Sequence, residues 1–163
     1  MRAFRAVPVV LLLVLIAGCG KKKLTTEESG VLSTLAYSMR NHASAFKIVR
    51  TTVEAKASSD SAALSTFYDK HGDTLNKFAY GVQNYADTGK DGLSKASIRE
   101  IGNAANGAEA ALSEWTAHLS KVKVKDGHSQ EDWDKFSTDQ TALLEKFATQ
   151  LRDIHSKYSK AEE

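Results

Sequence analysis

The chain is short of the two residues that most constrain a fold: among its 163 residues there is one cysteine, Cys19, and one proline, Pro8. A single cysteine excludes an intramolecular disulfide, so the folded part depends on core packing. Proline interrupts helices and marks turns and edge strands, and its absence after residue 8 fits long helices joined by short turns. An excess of one charge is missing as well. Net charge is +2, but residues 1–18 hold Arg2 and Arg5 and no acid, which leaves 20 of the 22 basic residues against 20 acidic ones. Without Lys21, Lys22 and Lys23 the body carries 17 basic against 20 acidic residues. That balance lacks the basic face that nucleic-acid binding needs and argues against that partner class. No nucleophile elbow, phosphate loop, zinc-protease motif or repeated Glu-x-x-His is present. The sequence therefore offers no support for an enzyme.

What is there begins with the order of a secretory signal. Arg2 and Arg5 form a positive start, Val9 to Ile16 is an unbroken apolar run, and small residues follow. The run is much shorter than the ~20 residues a membrane-spanning helix needs. Ile16-Ala17-Gly18-Cys19 is an apolar residue, two small ones and a cysteine, which resembles the lipobox of bacterial lipoproteins. The resemblance implies a signal peptide over 1–18, diacylglyceryl transfer to the Cys19 thiol, cleavage before it, and acylation of the new amino group with chains such as palmitate. Two or three chains give the stable membrane anchoring that one chain does not. Residues 19–24 then form a lipidated cysteine and a short basic tether. Lys21, Lys22 and Lys23 would sit at the headgroups, each adding about 1 kcal/mol on an anionic surface. Gly20 stands where a lipoprotein kept at the inner membrane commonly has Asp. In a cell with two membranes this favours the outer membrane, facing the periplasm.

Residues 25–163 read as an all-α domain, an up-down-up-down antiparallel four-helix bundle. Four stretches keep a three-four apolar spacing behind a start signal. The first follows Thr25, with Glu28 at capping-box spacing, and its face runs Leu32, Leu35, Met39, His42, Phe46, Val49, Val53. The second follows Ser58 to Ser61, with Leu64, Phe67, His71, Leu75, Phe78, Val82 and Tyr85 on one face. The third opens at Ser94 or Ser97 and carries Ile98, Ile101, Ala105, Ala108, Leu112, Trp115, Leu119 and Val122. Its small-residue stretch, Asn103 to Ala111, lets a neighbouring helix or a ligand approach closely. Lys121 to His128 reads as a basic connector. The fourth starts at Ser129 and carries Trp133, Phe136, Gln140, Leu143, Leu144, Phe147, Leu151, Ile154 and Tyr158. Short connectors between long helices make sequential neighbours antiparallel. The end nearest Cys19 then holds the turn at Gly89 and faces the membrane.

Two constellations stand out. His42 and His71 fall on apolar faces near mid-helix, within about 3 Å of the same height in an antiparallel pair. With Met39 and Gln140 they outline a buried ligand site for a small molecule, a metal ion or a haem held by His42 with His71 or Met39. The competing reading is two core histidines and a glutamine that fix helix register. Lys121, Lys123 and Lys125 alternate with Val122 and Val124 between Trp115 and Trp133, a basic-aromatic set suited to a protein partner. Asp87 to Gly92 begins like a calcium loop, but Gly89 and Ile98 occupy positions where an EF-hand needs oxygen ligands, and a glycine-ended helix with a turn is expected. Together these features describe a membrane-anchored envelope lipoprotein, a non-enzymatic adaptor, accessory or assembly factor with an envelope protein as partner. They require no cofactor beyond the lipid on Cys19. The alternative is a small-molecule, metal or haem carrier using the interior near His42 and His71.

Overall fold

The computed structural model describes residues 21–49, 52–55 and 61–160. The signal segment, Cys19 and the Ser58–Asp60 cluster lie outside them. The described chain runs α1 (Thr26–Val49), β1 (Val53–Ala55), α2 (Ser61–Thr88), α3 (Lys95–Leu119), β2 (Val122–Val124) and α4 (Gln130–Ser159). It is all-α apart from one short ribbon.

The helices start where side chains can satisfy their free N–H groups. The Thr25 N–H donates to Glu28 Oε2 at 2.8 Å and the Glu28 N–H to Thr25 Oγ1 at 3.1 Å, which closes the capping box at α1. Ser94, rather than Ser97, caps α3: its Oγ accepts from the Ser97 N–H at 3.0 Å. Ser129 Oγ accepts from the Asp132 N–H at 3.3 Å and starts α4.

Two expectations are corrected at the other end of the helices. The apolar face of α1 does not continue to Val53, and the basic connector is not irregular. Val53–Ala55 and Val122–Val124 pair as an antiparallel ribbon, with Val53 opposite Val124, Glu54 opposite Lys123 and Ala55 opposite Val122. The valine-lysine alternation of residues 121–125 has the period of a strand, and β-branched residues favour one. The expected face of α3 likewise gives up Val122 to β2.

Buried stripes from all four helices meet in one core. Helix α1 packs chiefly on α2, and α3 on α4. Ser29 Oγ donates to the Ala86 carbonyl at 2.8 Å, tying the start of α1 to the end of α2. Side chains of the neighbouring helices approach the small-residue stretch of α3 closely. A Cβ on Gly107 would lie 2.2 Å from Phe78 Cζ, and one on Gly102 would lie 2.7 Å from His155 Nε2. Asp87 and Thr88 end α2, and Gly89 to Asp91 form the turn that follows, with Gly92 at φ +124°, a region that L side chains rarely adopt.

The basic tether is docked rather than free. Leu24 is buried over Gly89, and its N–H donates to the Gly89 carbonyl at 2.8 Å. The Leu93 N–H donates to the Lys22 carbonyl at 2.7 Å, and Tyr158 OH donates to the Lys23 carbonyl at 2.9 Å. Tyr158 also donates to Glu28 at 2.6 Å, and Lys157 pairs with the same carboxylate. Burial opposes ionisation of Glu28, but the bonds from Lys157, Tyr158 and Thr25 overcome it and hold the group down at about 2. Lys21 and Lys23 are exposed, whereas Lys22 is half-buried and its Nζ is enclosed without a hydrogen-bond partner. Lys22 therefore folds against the bundle rather than extending into solvent as Lys21 and Lys23 do.

Gly89 should tolerate no side chain. An added Cβ would meet Leu24 Cδ1 at 2.2 Å and the Tyr85 carbonyl oxygen at 2.5 Å. Gly89→Ala should destabilise the domain by about 2 kcal/mol through overpacking. Gly30, with nothing within 4 Å of its Cβ position, is the control: Gly30→Ala should stabilise by up to ~1 kcal/mol. Urea unfolding of both variants checks the contrast.

Candidate functional site

The ends of α1 and α3 and the starts of α2 and α4 carry the largest side chains of the core. Their rings form one connected cluster. His42 and Phe46 come from α1, Phe67, Tyr68 and His71 from α2, Trp115 and His118 from α3, and Trp133 and Phe136 from α4. The His42 ring centroid lies 6.0 Å from that of His71, 4.5 Å from Phe46 and 6.3 Å from Trp115. Phe46 lies 4.8 Å from His71 and 5.1 Å from Trp115. Trp115 in turn meets Trp133 at 6.2 Å and Phe136 at 6.4 Å.

His42 is 1% exposed and His71 2%, and this burial leaves polar atoms stranded. Neither Nδ1 nor Nε2 of His42 has a hydrogen-bond partner, and the same holds for His71 Nε2, Ser137 Oγ and Gln140 Oε1. A buried polar atom without a partner costs on the order of 1–3 kcal/mol, so five in one neighbourhood are a large local debt in stability. Gln140 lies against His42 closely enough to favour its protonated form, but the alignment falls short of a hydrogen bond. Trp115, Tyr68 and His118, in contrast, are hydrogen-bonded. Trp115 Nε1 donates to Thr141 Oγ1 at 3.1 Å, Thr141 donates to the Ser137 carbonyl at 2.8 Å, and His118 Nε2 shares a 3.1 Å bond with Tyr68 OH.

Burial also keeps the histidines neutral. Loss of water, then repulsion from His71, pushes His42 down to about 3 despite the opposing pull of Gln140. Burial, then His118, pushes His71 down to about 4. Burial, then Lys121, pushes His118 down to about 4. Both imidazoles of the central pair are thus unprotonated over the ordinary pH range, with lone pairs available.

The four residues expected in the interior occupy one region. Met39 is fully buried one turn before His42, His42 and His71 face each other, and Gln140 adjoins His42. His118 belongs to the same cluster and was not foreseen. It stacks on Phe67 at 3.9 Å, and Phe67 stacks on His71 at 5.5 Å. Its spacing of three from Trp115 on α3 was the available signal. Phe46 and Trp115 each pack against both imidazoles. Among the described residues no three His, Cys, Asp or Glu side chains converge where a metal ion would be held.

The expected partner surface is partly dismantled. Trp115 is 0% and Trp133 6% exposed, so both are core residues, drawn inward by their large apolar area. Lys121 and Lys123 are exposed and Lys125 half-buried, along and beside β2.

The neutral histidines make the fold sensitive to acid. Unfolded, each titrates near 6.5; folded, at about 3 and 4. The unfolded chain then binds more protons between those limits, so stability falls as pH drops below 6.5. Each histidine contributes up to about 1.4 kcal/mol per pH unit. Unfolding followed by circular dichroism should show a loss between pH 6.5 and 4 that flattens in His42→Leu/His71→Leu. At pH 7 the same double variant should be neutral or stabilising, since it removes stranded polar atoms.

No family model matches the chain, and no curated protein or solved structure is significantly similar to it.

Proposed function

We propose that this protein is a lipoprotein of the bacterial cell envelope, held on a membrane by lipid on Cys19, whose up-down-up-down antiparallel bundle serves as a non-enzymatic adaptor or assembly factor. The observation that carries the reading is Ile16-Ala17-Gly18-Cys19 behind a positive start and an apolar run. Among the described residues no helix is long and apolar enough to cross a membrane, which is compatible with a lipid tether.

The docked tether supports an orientation. The chain is fastened to the bundle from Lys21 onward, two residues after Cys19, so an acylated Cys19 holds the Gly89–Leu93 turn close to the bilayer. Lys21 and Lys23 then meet the headgroups. Helix contacts that run in opposite chain order support the antiparallel packing: Ser29 with Ala86, His42 with His71, Phe78 with Gly107, and His155 with Gly102. In that packing the β1–β2 ribbon is roughly the length of α1, about 36 Å, from the membrane end. Lys121, Lys123 and Lys125 there present basic charge to an envelope protein. In a cell with two membranes, Gly20 after Cys19 favours the outer membrane, with the domain in the periplasm.

Cys19→Ser should abolish labelling by a palmitate analogue and release the protein from the membrane fraction; unchanged labelling overturns the anchor. Crosslinking of the lipidated protein in its own membranes should capture a discrete partner, lost when Lys121, Lys123 and Lys125 are changed to Glu. Efficient crosslinking without any such species counts against the adaptor role.

A further inference from the structure

We propose that the bundle interior is a binding site for a soft monovalent metal ion, Cu(I), held by the imidazoles of His42 and His71 and the thioether of Met39. The argument begins with geometry. A metal–nitrogen bond of about 2.0 Å puts an ion roughly 3 Å from the centroid of the imidazole that binds it. Two imidazoles on one ion therefore have centroids up to about 6 Å apart, and those of His42 and His71 are separated by 6.0 Å. Both nitrogens of His42 and Nε2 of His71 are buried and unpartnered. Phe46 lies one turn after His42 and packs on both rings. Met39 lies one turn before His42 on the same buried face, at the spacing where side chains i and i+3 meet.

The choice of ion follows from charge and softness. Every donor in this set is neutral. His118, the third histidine of the cluster, has its Nε2 engaged by Tyr68 and sits behind Phe67. Among the described residues no carboxylate or thiolate joins to offset a second positive charge in an aromatic interior, where unpaired charge is heavily penalised. Imidazole and thioether together suit Cu(I), whereas hard cations want oxygen ligands and structural zinc sites want four ligands rich in thiolate and imidazole. Trp115, 6.3 Å from His42 and 6.2 Å from His71, offers a π face to a bound cation. A groove of about 520 Å³ runs between α1 and α4, lined by Leu35, Ser38, Asp139, Leu143 and Lys146, and its Ser38 wall lies one turn before His42 on α1.

The test is anaerobic titration of the purified full-length chain with Cu(I), supplied as its acetonitrile complex against a chromophoric Cu(I) chelator. One equivalent should bind and quench Trp115 fluorescence. In the wild-type protein the imidazole resonances of His42 and His71 should shift, while those of His128 and His155 stay in place. His42→Leu and His71→Leu should each weaken binding by at least the ~100-fold that losing even an outer-shell partner can cost, with the helical circular dichroism spectrum retained; Met39→Leu should weaken it less. Absence of stoichiometric binding overturns the proposal. So does binding that moves the resonances of the surface histidines instead, or Zn(II) binding as tightly at the same site. The wild-type resonances decide the matter even if a leucine variant fails to fold.

Discussion

Everything in this bundle closes on Trp115. Its indole has no exposed surface and meets rings from α1, α2 and α4 as well as one on its own helix. One side chain thereby fixes the relative positions of all four helices. The indole also carries a donor that cannot be left unpaired in such a place, and Thr141 on α4 supplies the acceptor. Thr141 can do so because it hydrogen-bonds back to its own helix at Ser137 and so holds one orientation. The chain divides accordingly. The first half of α3 runs into a stretch rich in glycine and alanine, Gly102 to Ala111, against which Phe78 and His155 approach closely. The other half is filled by rings, among which the only stranded side-chain nitrogens of the cluster belong to His42 and His71.

That division explains why the polar groups sit where they do. In the small-residue half the gaps close over single rings, Phe78 against Gly107 and the His155 imidazole against Gly102. In the ring-filled half the gaps are set by flat side chains, and an imidazole has the right thickness to stack with them. Two histidines serve as aromatic filler there, but a phenylalanine would fill the same space without stranding nitrogens. Retaining imidazoles means that about 1–3 kcal/mol per stranded group is forgone. A bound cation converts those atoms from liabilities into donors, which register-setting alone does not achieve.

Much of this was legible in the sequence, and the rest failed for identifiable reasons. Thr25 with Glu28 and Ser129 mark two helix starts because capping is local chemistry, read within four residues, whereas for α3 the sequence leaves Ser94 and Ser97 open. The pairing of His42 with His71 was legible because both lie on regular apolar stripes, and rise per residue gives their height. The ribbon was missed because three-residue strands are fixed by their partner: Val53 continues the three-four spacing of α1, and only pairing with Val124 makes it a strand. Tyr68 was missed beside Phe67. Packing buried Tyr68 and left Phe67 half-buried, a rotation of the helix that a stripe of apolar residues does not specify. The docked tether was invisible for a similar reason, since lysine looks solvated in sequence while its backbone is free to bond a neighbouring turn.

The docking also decides how the anchor and the interior relate. Under the proposed anchoring, tension on Cys19 would first load the bonds of Lys22, Lys23 and Leu24 to the Gly89–Leu93 turn and to Tyr158. His42 lies sixteen residues along α1 from Thr26, about 24 Å at helical rise. Sites that far apart, with no shared partner, change stability independently to within a few tenths of a kcal/mol. A perturbation of the tether therefore reaches the histidines only if α1 itself tilts. Such a tilt would have to break the Ser29–Ala86 bond and the Glu28 bonds to α4 before it moved a ring. On that proposal the first turns of α1 stand between the anchor and the ring cluster, and a pull on Cys19 would load them before it moved a ring.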